Sequence, residues 1–317
     1  MGRDEELRRE RCINFMKYAN ELDAFFKQHN DYDVVHLHSS SKNYMVLKYA
    51  KKYGINIRII HSHSSDFATK NFFKKFIGNI FKIPMKKYAT NFFACSKEAG
   101  LWLFGKKIVN SDKFEIIKNS VDYDKYKFNE AIRTSIRKEL SINDDCCVLG
   151  HIGRMAYVKN HSFLIDVFNN YHKINTNSKL LLVGDGELKK DIIQKINDLH
   201  LDDCVIITGF KSNPYDYMQA MDILLLPSLY EGLPMVLIEA QVNGLKCLVS
   251  DKVSSEAKIT PSITYLPLDD CNLWVSSINN DSKRVENYNY IKKSGFLLDD
   301  LIIKLIKIYG GNDETKN

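Results

Sequence analysis

Short apolar and β-branched runs recur along the first part of the chain, at residues 34–38, 57–61, 91–95 and 114–118, with polar and amphipathic stretches between them. Runs of this length, separated by segments of helical periodicity, predict strands of a buried sheet. The rhythm restarts further on, at residues 147–152, 180–183, 205–208, 223–227, 247–250 and 263–266. Residues 161–174 and 187–199 have the spacing of helices. Strand alternating with helix points to parallel sheets of the α/β class. Two such sheets, divided near residues 120–145, predict two Rossmann-like domains facing each other across a cleft, with ligands at the carboxyl ends of the strands. The expected division is a first domain over residues 1–130, a second over 131–290, and a terminal helix and tail over 291–317. Ile291, Leu297, Leu298, Leu301, Ile302, Leu305 and Ile306 supply apolar faces for a tail helix that can cross between domains.

Composition adds little to this picture except through charge. Of 317 residues, 44% are hydrophobic and 26% charged, so the chain is neither disordered nor fibrous. No apolar run approaches the roughly 20 residues that span a bilayer, and residues 1–11 are charged where a signal peptide would be apolar. The expected location is cytoplasmic, with peripheral membrane contact open. The net charge of +6 conceals an asymmetry: residues 1–140 hold 27 Lys+Arg against 16 Asp+Glu, or +11, which leaves 18 against 23, or −5, for the remainder. A basic first half suits an anionic partner such as an inner-leaflet membrane surface or a lipid diphosphate. No zinc-finger spacing, RNP-like aromatic pattern or basic zipper is present, so nucleic acid is not an expected partner. The seven cysteines lack any CxxC pairing and read as buried thiols.

Candidate chemistry concentrates in the second half. Residues 227–240, PSLYEGLPMVLIEA, read as a buried strand, a glycine-containing turn and a helix beginning around Pro234. A helix start offers unpaired N–H groups and partial positive charge, which suits a diphosphate. Glu231 falls in the loop, and Glu239 lies more than a turn into the helix, where a carboxylate can accept two sugar hydroxyls. A second segment, GHIGRMAYVKN over 150–160, ends a strand in Gly153-Arg154 and places Lys159 five residues later at a helix start. Two cations there can stabilise charge growing on a departing phosphate.

Glu231 and Glu239, with GLPMVLI between them, resemble the E-x7-E motif of retaining family-4 glycosyltransferases, which have the GT-B fold. Gly153, Arg154 and Lys159 resemble that family's GR-x4-K element. Leu182-Val183-Gly184-Asp185-Gly186 resembles its VGDGP turn, and Thr208-Gly209-Phe210-Lys211 stands where its members border the nucleobase. The resemblance implies that Glu231 lies beside the donor sugar and that Gly232, Leu233, Pro234, Met235 and Val236 line sugar and phosphate. It also implies that Glu239 holds the ribose. The implied activity is retaining transfer of a hexosyl unit from a UDP- or GDP-sugar to a saccharide acceptor, lipid-linked and destined for a surface polysaccharide, with no metal or other cofactor. A noncatalytic nucleotide-sugar-binding or partner subunit is the alternative.

In the first half, His36 and His38, and likewise His61 and His63, share faces at the carboxyl ends of strands. Four histidines so placed suit zinc. The resemblance instead matches His63 to a histidine lining the donor-sugar pocket, with His38 nearby, and expects no metal. Six lysines interleave with large apolar residues over 70–87, either as a membrane-facing surface or as a helix on the first sheet with its lysines in water. Residues 34–38 resemble the fourth strand of the family's first domain. The expectation is therefore an incomplete first sheet with an open edge, which a protein partner could complete.

Overall fold

The computed structural model describes residues 2–38, 43–63, 72–278 and 283–310. The chain divides into two compact units, Met1–Asn119 with Leu301–Asn317, and Ser120–Asp300. In the first, strands β1 (Val34–His38), β2 (Ile57–Ser62), β3 (Asn91–Ala94) and β4 (Phe114–Ile116) form a parallel sheet in the order β1-β2-β3-β4. Sequence order and spatial order coincide, so β1 and β4 are the edges.

The second unit holds β5 (Cys147–Ile152), β6 (Ser178–Val183), β7 (Val205–Gly209), β8 (Ile223–Leu226), β9 (Lys246–Ser250) and β10 (Ile263–Leu266). All are parallel, in the order β10-β9-β8-β5-β6-β7. The chain enters at β5 in the middle, builds outward through β6 and β7, then returns to build the other way from β8. That reversal is a topological switch point. Every residue of β8 is buried, and β5 is buried up to Ile152, which is why these strands read as unbroken apolar runs. Two apolar clusters sandwich the sheet, one around Val148, Leu224 and Leu237, the other around Leu149, Phe168 and Trp274. At the opposite, amino-terminal edge of β5 the buried Asp222 accepts from Arg133 and Arg137 at 2.7 Å each and from the Val148 amide at 2.7 Å. One carboxylate thereby fastens the helix Glu130–Glu139 to the sheet.

The predicted strands at 147–152 and 263–266 coincide with β5 and β10, and Pro234 is the N-cap of a helix that runs Met235–Val242. The division at 130/131 does not match the packing, which divides the chain at 119/120. The Val121 amide donates to Phe296 O at 2.8 Å, the Leu298 amide donates to Val121 O at 3.1 Å, and Gln219 donates to Lys127 O at 3.1 Å. Such long-range partners leave no local signal in residues 120–130. Likewise the tail does not form a unit from 291: Ile291 and Leu297 pack within the second unit, whereas Leu301, Leu305, Ile308 and Tyr309 pack against Ile59, Phe93 and Ile117 of the first. The basic stretch contains the helix Phe72–Tyr88, with Met85 buried and Ile80 and Ile83 exposed; residues 70 and 71 lie outside the described residues. The six described free cysteines form no disulfide.

Candidate functional site

At the switch point the loops that leave β5 and β8 meet. The Leu229 amide donates to Val158 O at 2.8 Å, which ties the two loops together. Across that seam Lys159 Nζ meets Glu231 Oε2 at 2.9 Å, with each side chain only 15% exposed. The second Glu231 oxygen accepts from the hydroxyl of fully buried Ser228, and the Glu231 carbonyl accepts from the Ser254 amide at 3.0 Å. An ion pair that is largely dehydrated and held from both sides is a defined pairing of charges, unlike a pair in water.

Beside this pair the glycine turns after β5 and β6 touch. Gly184 has φ of +146°, and a Cβ there would lie 2.0 Å from Gly153 O. Only glycine permits both the conformation and the approach. A Cβ on Gly153 would stand 3.3 Å from Lys159 Cε, so the bare backbone leaves room for the lysine stem. The turns open into a groove of about 550 Å³ lined by Gly153, Arg154, Gly184, Asp185, Phe210 and Lys211 among others. Arg154 is 75% exposed and its guanidinium meets Glu187 at 3.1 Å. Phe210 is 80% exposed, a large apolar ring standing at the groove. Lys211 Nζ lies 4.8 Å from the Tyr217 ring centre.

Glu239 is half-buried on the helix Met235–Val242. Burial pushes its carboxyl above the usual range, opposed by a hydrogen bond from the Tyr126 hydroxyl and by the Lys125 charge. Burial, and then the Glu239 charge, raise the Tyr126 phenol. Tyr126 in turn packs edge-on to Tyr215, 5.8 Å between ring centres, and Lys125 stands 4.3 Å from that same ring. The helix begins without a side-chain cap, so the amides of Met235 and Val236 have no intrahelical acceptor. Gly232 is exposed with no heavy atom near its Cβ direction, whereas Leu233 packs into the core.

Behind the seam, His151 and His161 are buried with rings 4.8 Å apart, and His151 Nδ1 donates to Leu225 O at 2.8 Å. Burial holds His161 down at about 4, helped by the Lys159 charge, and depresses His151 well below the ordinary imidazole range. Both are neutral imidazoles at pH 7.

The structure thus brings Gly153, Arg154, Gly184, Phe210 and Lys211 to one groove and joins Lys159 to Glu231. It sets Glu239 against Tyr126 rather than in water. Ser228, Lys125 and Tyr126 were not singled out by the sequence reading. Ser228 lay inside the quoted motif, three residues before Glu231; the Tyr126 segment carried no local sign of its partner.

His63 belongs to the first unit. There β1 and β2 pair in register with His38 opposite His61, so His36, His38, His61 and His63 gather on one face. His38 Nδ1 and His63 Nε2 lie 2.8 Å apart, and His36 Nδ1 shares a hydrogen bond of 2.5 Å with the Tyr309 hydroxyl. Burial and the neighbouring imidazoles depress His36 to about 4 and His61 to about 3. Nitrogens of His36, His38 and His61 lie within 4.8 Å of one another.

Residues 132–260 match the family described as Glycosyl transferases group 1, a stretch that contains the site residues from Gly153 to Glu239 but not Lys125 and Tyr126. The EpsF protein of Bacillus subtilis (strain 168) is 28% identical over 244 residues, 77% of this chain and 64% of its own length. The UDP-Gal:alpha-D-GlcNAc-diphosphoundecaprenol alpha-1,3-galactosyltransferase of Escherichia coli is 28% identical over 249 residues, 76% of this chain and 64% of its own. The chain therefore spans 64% of the length of each of these curated relatives. Among solved structures, Anabaena Alr3699/HepE in complex with UDP superimposes with a TM-score of 0.72 at 16% identity, covering 91% of this chain and 81% of that one. With its paired parallel-sheet units and its group 1 region, the chain has the α/β fold of GT-B glycosyltransferase structures.

Proposed function

We propose that the protein is a glycosyltransferase that moves a hexosyl unit from a nucleotide diphosphate sugar to a saccharide acceptor with retention of anomeric configuration. The observation that carries this reading is the Lys159–Glu231 pair at the switch point, adjoining the groove between Gly153, Arg154 and Gly184. A diphosphate laid on the two bare glycine turns would meet Arg154 at the mouth and Lys159 at the seam. As the glycosidic bond to the diphosphate stretches, charge grows on the phosphate oxygens. Two cations held in a partly dehydrated crevice would stabilise that charge more than the ground state. Before a donor arrives, Glu231 neutralises Lys159; a diphosphate would draw the lysine away and free Glu231 to accept a donor-sugar hydroxyl. Met235 and Val236 amides at the uncapped helix start, with Gly232, Leu233 and Pro234 before them, would line the same sugar and phosphate. Glu239, its ionised form supported by Tyr126 and Lys125, would take the ribose hydroxyls. Phe210 and Lys211 would border the base.

On this reading no metal takes part in transfer, because the chain's own cations neutralise the leaving group. The Escherichia coli relative, named for its action on a diphosphoundecaprenol-linked sugar, supports a lipid-linked acceptor. A membrane-side setting is also supported by exposed Ile80 and Ile83 on the basic helix Phe72–Tyr88, and no helix among the described residues is long and apolar enough to span a bilayer. The edge strand β1 offers an open side at which a protein partner could add strands. The test is transfer of radiolabelled sugar from a panel of UDP- and GDP-sugars to lipid-linked saccharides. One donor giving product with retained configuration is expected; absence of both transfer and nucleotide-sugar binding would overturn the proposal.

A further inference from the structure

We propose that His36, His38 and His61 form a binding site for a zinc-class divalent cation at the carboxyl ends of β1 and β2. Parallel pairing places His38 directly opposite His61, with His36 two residues back on the same face. Their rings stack closely: centroids are 4.1 Å apart for His36 and His38, 5.3 Å for His36 and His61, and 5.1 Å for His38 and His61. One nitrogen from each lies within 4.8 Å of the others. A tetrahedral zinc with bonds of about 2.0–2.1 Å needs nitrogens roughly 3.4 Å apart, so ring rotations of modest size close the set.

Two features besides proximity point to a ligand. Among the described residues the buried Nε2 of His36 has no hydrogen-bond partner, and His61, 3% exposed, has no well-formed one, with the Ile117 backbone near its ring. Orphaned buried polar atoms are costly and call for an explanation, and an ion supplies one. The outer partners are also those of a metal site. Tyr309 occupies Nδ1 of His36 and His63 occupies Nδ1 of His38, which fixes both rings and leaves their Nε2 atoms to bind the ion. All-nitrogen ligation favours zinc, copper or nickel over magnesium and calcium. Three protein ligands leave a fourth position for water. Transfer as proposed above does not use the ion; its occupancy would lock β1 to β2 and hold the His38 ring on which His63 rests.

The test uses the full chain, stripped with a chelator and titrated with zinc chloride by calorimetry. One zinc per chain is expected, with affinity at least ~10-fold weaker in His61→Gln, in His38→Gln and, through the outer partner alone, in Tyr309→Phe. His38 is exposed, so its variant reports on binding even if the His61 variant fails to fold. Cobalt(II) in place of zinc should give ligand-field bands without thiolate charge-transfer absorption, separating this site from the cysteines. The proposal is overturned if zinc binds the His38→Gln chain as tightly as the parent, if cobalt shows thiolate ligation alone, or if no ion binds.

Discussion

The two sheets differ in how they make a site. In the six-stranded sheet the order reverses between β8 and β5, and the loops leaving those two strands meet in the Lys159–Glu231 pair beside a groove lined by the turns after β5, β6 and β7. Its polar groups are provided with partners: Lys159 with Glu231, Glu231 with Ser228, Glu239 with Tyr126. In the four-stranded sheet strands follow one another without reversal, and its carboxyl end gathers four imidazoles, with buried nitrogens that lack hydrogen-bond partners among the described residues. The first arrangement organises opposite charges around a space for an anion. The second organises neutral donors of electron pairs.

The largest expected effect comes from removing the cation at the seam. Lys159→Met should lower turnover by about 10²–10³-fold, as loss of one preorganised transition-state donor does elsewhere, measured in the labelled-sugar assay at saturating donor. A smaller change would move the main electrostatic work to Arg154. Next, Gly184→Ala would drive a Cβ into Gly153 O at a positive φ and should cost about 2–3 kcal/mol of stability. Gly232→Ala, with open space around it, should stay within about 0.5 kcal/mol. Urea unfolding followed through Trp274, buried in the second unit, reads both once Trp102 is replaced by Phe. Equal costs would mean that the contact between the two glycine turns is not maintained in solution.

Acid should weaken the second unit through His161. Its folded pKa of about 4 lies below the ordinary imidazole value of 6.5, so unfolding takes up a proton between these limits. The stabilisation is complete above pH 6.5 and is lost as pH falls toward 4, amounting to about 1–2 kcal/mol by pH 5. His161→Gln should flatten that part of the Trp274-detected stability profile; an unchanged slope would assign it to other groups. The smallest effect concerns Arg154→Ala. Its pair with Glu187 is solvent-exposed, so stability should not change measurably. Donor affinity should nevertheless fall in calorimetry, which separates a ligand-facing cation from a structural one.

Strand and helix positions were legible because burial on both faces writes an apolar run into the sequence, as at residues 147–152 and 263–266. The glycine turns and the two glutamates were legible as a motif. What could not be read is who meets whom. Lys159 and Glu231 are 72 positions apart, and their pairing follows from the adjacency of β5 and β8, a fact of strand order rather than of local pattern. Tyr126 escaped for the same reason: its segment looked like a connector, and its value lies in contact with Glu239. The histidine pairs were visible through their spacing of two, but only the register of β1 against β2 brings the pairs together.

Calorimetric titration of the intact chain with UDP and GDP, alongside Lys159→Met, tests most directly whether the seam of the second unit is a diphosphate site. One of the two nucleotides should bind with 1:1 stoichiometry, and the variant should bind it at least ~10-fold more weakly, the equivalent of about 1.4 kcal/mol. Binding of neither nucleotide, or equal affinity in the variant, would contradict the account.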